Sequence, residues 1–127
     1  MKYEPIDPPR TFPVGAEGKV IIKDCGRIRL EHDEQITFTT ESGAEYDLAR
    51  KDWGFYATPS LNGRLESFGL RAVLVKSRVT GQFFIFLVEN GKEDLFRKYC
   101  DIEQQFVIAW LDSDKALEKL ENRMHTS

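Results

Sequence analysis

The residues best suited to chemistry in this 127-residue chain lie in one stretch, DWGFYATPSLNGRLESFGLR, spanning residues 52–71. Thr58 is a suitable N-cap and Pro59 suits a first helical position, so a short helix is predicted to open near Pro59. Leu61, Leu65 and Phe68 would form its apolar stripe, and Gly69 would end it. A helix start presents unpaired N–H groups and the positive end of the backbone dipole, which favour an anion. Ser60 adds a hydroxyl there, Arg64 falls on the same face four residues later, and Asn62 and Arg71 approach from the sides. Trp53 and Tyr56, with Phe55, would supply a stacking wall. The candidate ligand-binding set is therefore Thr58, Ser60, Asn62, Arg64, Arg71, Trp53 and Tyr56, facing a sugar-phosphate or nucleotide-like anion.

Gly63 supports that reading, because a glycine inside a helix costs on the order of 1 kcal/mol relative to alanine and calls for a reason such as close approach of a ligand. A purely structural reading competes with it. Thr58 would merely cap, the aromatic residues would close the core, and Gly63 would let the helix sit close to a strand.

Charge points to the same segment. Between residues 50 and 78, Arg50, Lys51, Arg64, Arg71, Lys76 and Arg78 face Asp52 and Glu66, a surplus of four positive charges in a chain whose net charge is -3. The acidic total argues against nonspecific nucleic-acid binding, which needs several neutralised phosphates. No apolar run approaches the roughly 20 residues that span a bilayer, so no membrane association is expected. The N-terminal residues MKYEPIDPPRTFPVG lack the basic-then-apolar pattern of a secretory signal, and a cytoplasmic location is the simplest expectation.

Other chemistry lacks its usual residues. There is no phosphate loop, HExxH, paired CxxC or GxSxG motif, and the histidines are His32, in an expected turn, and His125, in the tail. No metal site and no cofactor are expected. Cys25 and Cys100 read as thiols filling the core, with Cys25 in a tight turn after Asp24. A non-catalytic binding or accessory domain is the leading functional reading. Its alternatives are a self-associating protein interaction module, using a strand edge, the N-terminal arm or the last helix, and a small enzyme acting on a sugar or nucleotide. Such an enzyme would use Asp52, Tyr56 or Glu66 as acid or base.

The elements that must position these residues follow from periodicity. Pro5, Pro8, Pro9 and Pro13 predict an extended Pro-rich arm over residues 1–16, leaving 17–127 as a single α+β domain. Val20 and Ile22, Ile28 and Leu30, Ile36 and Phe38, and Tyr46 and Leu48 alternate with polar residues and predict four half-buried strands of an antiparallel meander. Turns are expected at DCG (24–26), EHDE (31–34) and ESG (41–43). After the helix near Pro59, LRAVLVK and QFFIFLVE predict a hairpin, its second strand central because residues 83–88 are all apolar. Asn90 and Glu93 suggest a capping box for a further helix, FVIAWL a last strand, and Asp112 or Ser113 the cap of a C-terminal helix. The expected order is thus an N-terminal antiparallel β-meander, then α-β-β-α-β and a C-terminal helix, with a mostly antiparallel sheet.

The run WGFYATPSLNGRLESFGLRAVLV, followed by FIFLVENGKEDLF and VIAWLD, resembles a family of small uncharacterised bacterial proteins over residues 19–112. Members are sometimes encoded near genes for surface-polysaccharide or sugar-nucleotide synthesis. The resemblance implies no catalytic residue, and it favours a bacterial, sugar-phosphate setting over a nucleic-acid one.

Overall fold

The computed structural model describes residues 1–126. It is a mixed α+β chain whose strands pair as β1-β2, β3-β4-β5 and β7-β6-β8. Two compact units are distinguished: residues 1–36 with 48–56, and residues 37–47 with 57–127.

In the first unit, β1 (Lys2–Val14) pairs antiparallel with β2 (Val20–Arg29). Residues 1–16, expected as an arm, are thus extended but mostly held in a hairpin. The turn joining the strands is closed by the Gly18 N–H donating to the Gly15 carbonyl at 3.1 Å. The two strands predicted around Val20 and Ile28 are one, because DCG is not a turn. Its Gly26 lies opposite Pro5 at a φ of 148°, where a Cβ would come within 2.5 Å of the Glu4 carbonyl oxygen. A residue without a side chain lets the strand run on through this irregularity. Register resumes at Arg10 opposite Asp24. Val20, Ile22 and Ile28, and Phe38 further along, are exposed, not half-buried as expected, whereas Leu30 is buried.

The chain continues through the turn at 31–34 into β3 (Gln35–Thr39), then β4 (Glu45–Lys51) and β5 (Gly54–Ala57). Strand β5 was not anticipated, since its Phe55 and Tyr56 were read as a wall rather than as backbone pairing partners.

The second unit is built on β6 (Leu70–Ser77), which lies between β7 (Phe83–Glu89) and β8 (Gln105–Trp110) and is antiparallel to both. The predicted hairpin is present, but its centre is β6. Val73 and Val75 are fully buried, whereas Phe83, Ile85 and Leu87 of β7 are exposed. Alternation separates the two faces of β6. Leu70 and Ala72 pack with Ala44 and Leu65, while Val73 and Val75 pack with Val88, Phe86, Phe96 and Trp110.

Helix α1 (Arg64–Ser67) is one turn that seats Leu65 at 0% exposure. Helix α2 (Glu93–Glu103) follows Lys92, not an Asn90 cap, and Glu93 turns its carboxylate back to the Gly91 N–H at 2.6 Å. Helix α3 (Asp114–Thr126) opens at Ser113, whose hydroxyl accepts the Ala116 N–H at 3.3 Å, one of the two caps expected.

Candidate functional site

The segment 52–71 folds differently from its expected helix. Residues 61–63 form a turn, and the helix begins at Arg64 rather than near Pro59. Gly63 therefore precedes the helix instead of interrupting it. Thr58 does not cap the helix: its N–H donates to the Asp47 carbonyl at 3.2 Å, while its buried hydroxyl has no hydrogen-bond partner among the described residues. Ser60 does the capping, its Oγ accepting the Arg64 N–H at 2.8 Å and its carbonyl accepting the Gly63 and Leu65 N–H groups. A Cβ on Gly63 would stand 2.7 Å from that Oγ, so the glycine makes room for a cap, not for a ligand. One helical turn carries too few aligned peptide dipoles to form a strong anion site.

Part of the positive surplus of residues 50–78, that of Lys51, Arg64 and Arg71, is met in space by acids from elsewhere. Arg71 is bound by Asp112 at 2.7 Å and approached by Glu93 at 3.7 Å, and its guanidinium lies 4.0 Å from the Trp110 ring centroid. Asp112, and less strongly Glu93, raise its already high pKa. Arg64 lies 3.7 Å from Asp47 and packs over Phe68, Asn62 donates to Asp114 at 2.8 Å, and Lys51 is held by Asp33. Trp53 and Tyr56 are exposed and belong to the first unit, whereas Thr58, Ser60, Asn62, Arg64 and Arg71 belong to the second.

Acid–base, thiol and metal chemistry gain little support. Asp52, Tyr56 and Glu66 are all exposed. Cys100 is buried as expected, and desolvation, helped by Asp101, pushes its thiol pKa up, away from a reactive thiolate. Cys25 is exposed rather than core, its thiol directed to the Lys23 carbonyl. Among the described residues no group of His, Cys, Asp or Glu could hold a metal ion, and no helix is long and apolar enough to cross a membrane.

The cations that do converge lie in the first unit: Arg27 and Arg29, expected as polar strand positions, and Arg50 from the positive segment 50–78. Arg27 and Arg29 are two apart on β2 and so share a face, with Glu4 and Lys2 as their cross-strand neighbours. They line a cleft of about 350 Å³ together with Ile28, Arg50 and Phe55. The buried Leu30 forms part of the wall. Arg50 is fixed there by its backbone, which accepts the Asp33 N–H at 2.8 Å and donates to the Glu34 carbonyl at 2.9 Å. Its guanidinium donates to the neutral Leu30 carbonyl at 3.4 Å and forms no ion pair among the described residues. Glu4 is the carboxylate lining the cleft, and Lys2 lies 3.6 Å from it. Phe55 is 62% exposed and offers a ring at the margin. The volume lies within the range of small-molecule pockets, about 300–1,000 Å³.

A larger cleft of about 530 Å³ in the second unit lies between α2 and β8. Its basic residues, Arg78 and Arg97, are already engaged: Arg78 packs over Phe106, and Arg97 pairs with Asp94 at 2.7 Å. Asp101 adds a negative charge. Of the two, the cleft lined by Arg27, Arg29 and Arg50 has the larger excess of basic over acidic residues. Compared with protein-family models, with curated proteins and with solved structures, the chain shows no significant match to any of them.

Proposed function

We propose that this chain is a non-catalytic binding domain for a small anion bearing a phosphate or carboxylate group, held by Arg27, Arg29 and Arg50 beside the Phe55 ring. The observation that carries the proposal is the charge of the cleft: three arginines, Arg27, Arg29 and Arg50, line it with one acidic residue, Glu4. Like charges gathered on one surface repel, and a bound anion relieves that repulsion. Guanidinium groups offer paired N–H donors whose spacing matches two oxygens of one phosphate or carboxylate. A flat or sugar-like group attached to the anion would rest against Phe55. A sugar phosphate or a mononucleotide combines these parts at a size the cleft admits, in keeping with the resemblance to proteins encoded near sugar-nucleotide genes.

The test is calorimetric titration with inorganic phosphate, a hexose 1-phosphate and a nucleoside monophosphate. Arg27 and Arg29 are exposed and make no ion pair among the described residues, so Arg27→Ala and Arg29→Ala should fold normally. Each is expected to weaken binding about tenfold, the loss of a charge-assisted hydrogen bond, and added salt should weaken wild-type binding. Arg64→Ala should bind as wild type does. Equal affinity of wild type and the Arg27→Ala/Arg29→Ala protein for every anion, or no binding at all, would refute the proposal.

A further inference from the structure

Strand β7 is apolar at every position from Phe83 to Val88, yet it stands at the edge of its sheet with β6 on one side and no backbone partner on the other among the described residues. Such an edge is an open template for another strand. Natural edges are commonly blunted by charge, proline or brevity, but this one runs seven residues with neither lysine nor proline. Two bonds fix which of its backbone groups are free. Ser77 N–H donates to the Gln82 carbonyl at 2.9 Å and Asn90 N–H to the Gly69 carbonyl at 3.0 Å, so the hydrogen-bonded pairs with β6 are those of Phe84, Phe86 and Val88. The N–H and C=O groups of Phe83, Ile85 and Leu87 consequently point outward, whereas the Glu89 carbonyl already accepts the Lys92 N–H at 3.0 Å.

We infer that β7 is the self-association surface of this chain, pairing antiparallel with β7 of a second copy about a two-fold axis at Phe86. Self-complementarity selects the second copy as occupant. With Phe86 opposite its counterpart, Ile85 meets the partner copy's Leu87, so the free outward N–H and C=O groups of Ile85 and Leu87 on one strand face those on the other. Side chains match on both faces. On one, Phe84 lies opposite Val88 and Phe86 opposite Phe86, beside the exposed Leu95 and Tyr99 of α2, which border an apolar groove of about 350 Å³ along β7. On the other, Ile85 lies opposite Leu87, the two being 57% and 37% exposed in the single chain. The product is a continuous six-stranded sheet formed from two copies of β8-β6-β7, a closed isologous contact.

Sedimentation equilibrium and amide hydrogen exchange on the whole chain test this. Wild type should sediment as a dimer at micromolar concentration, with the Ile85 and Leu87 amides protected in a concentration-dependent way. Ile85→Lys introduces like charges across the joint, and Ile85→Pro removes an outward N–H without touching the β6 bonds. Both should raise the dimer dissociation constant at least about a hundredfold and restore rapid exchange at Leu87, with circular dichroism unchanged. Val79→Lys, at a 70% exposed position outside β7, should remain dimeric. A monomeric wild type, a dimer that survives Ile85→Lys, or one dissolved equally by Val79→Lys would overturn the inference, as would β7 protection appearing only with a different protein.

Discussion

Arg71 donates through Nε to Asp112 at 2.7 Å while its guanidinium lies 4.0 Å from the Trp110 ring centroid, so one cation links the strand β6 to the end of β8. Both side chains of the ion pair are substantially buried, at 29% and 19% exposure. An ion pair so placed is structural, and removing one member strands the other. We expect Asp112→Ala to lower stability by about 1–3 kcal/mol, the scale of a hydrogen bond to a charged group. Arg71→Lys should also destabilise, because an ammonium cannot reproduce the two-pronged contact and stacking of a guanidinium. Urea unfolding measures both, and wild-type midpoints in the two variants would contradict the assignment.

Gly63 and Ser60 should behave as a coupled pair. The Ser60 hydroxyl caps the Arg64 N–H, and a Cβ at residue 63 would meet that hydroxyl at 2.7 Å. Ser60→Ala is expected to cost about 1 kcal/mol, as for loss of a cap. Gly63→Ala should cost a comparable amount in the wild type and less in the Ser60→Ala background, where the obstructing oxygen is gone. A double-mutant cycle by thermal unfolding reads the coupling. Strict additivity would show that Gly63 answers to something else.

These two relationships show why the segment 52–71 misled the sequence reading. Thr58, Pro59 and Ser60 satisfy every local rule for a helix start, but Pro59 is buried and Ser60 closes a turn before the helix forms, which tertiary packing decides and spacing does not. The surplus of positive charge was real, yet Asp47, Asp112, Glu93 and Asp33 reach it from other parts of the chain. What was legible depended on local pattern: the presence of β3 and β4, though not their faces, since Phe38 is exposed and Asp47 buried, the hairpin of β6 and β7, the helix α2 with Cys100 buried, and Ser113 as the cap of α3. Non-local facts were not legible. An apolar run such as 83–88 reads alike at a sheet centre and at an edge, and prolines in β1 look like those of an arm until β2 is laid beside them. Arg27 and Arg29 already shared a face in the sequence, but folding alone brings Arg50 and Phe55 to the same cleft.

Gly26 holds the site's geometry from the next residue along. Its positive φ and the nearness of the Glu4 carbonyl leave no room for a Cβ, so Gly26→Ala must shift either β1 or β2. We expect a loss of about 1–3 kcal/mol, in keeping with strain at such a position, together with weaker anion binding as Arg27 and Glu4 move. Paired unfolding and titration experiments check this. Unaltered stability would mean that the strands separate there at no cost.

Acid should loosen the support of Arg50. The Lys51 side chain, chiefly through its hydrogen bond, and then the charge of His32, hold the Asp33 pKa below its ordinary value. A depressed carboxylate pKa contributes stability above the unfolded-state value, roughly 3.9 for aspartate, and loses it as pH falls through the lower folded value. Asp33→Asn, which tolerates the positive φ at this residue, should therefore reduce the acid dependence of unfolding between about pH 4 and pH 2. An unchanged acid limb would exclude this contribution.

Amide chemical-shift mapping during titration of the labelled chain with a nucleoside monophosphate locates the bound anion. Shifts are expected to saturate together at Arg27, Ile28, Arg29, Arg50 and Phe55, with Ser60, Arg64 and Arg71 unmoved. Saturable shifts centred on residues 58–71 with a silent Arg27–Arg29 strand, or no saturable shifts at all, would contradict binding at Arg27, Arg29 and Arg50.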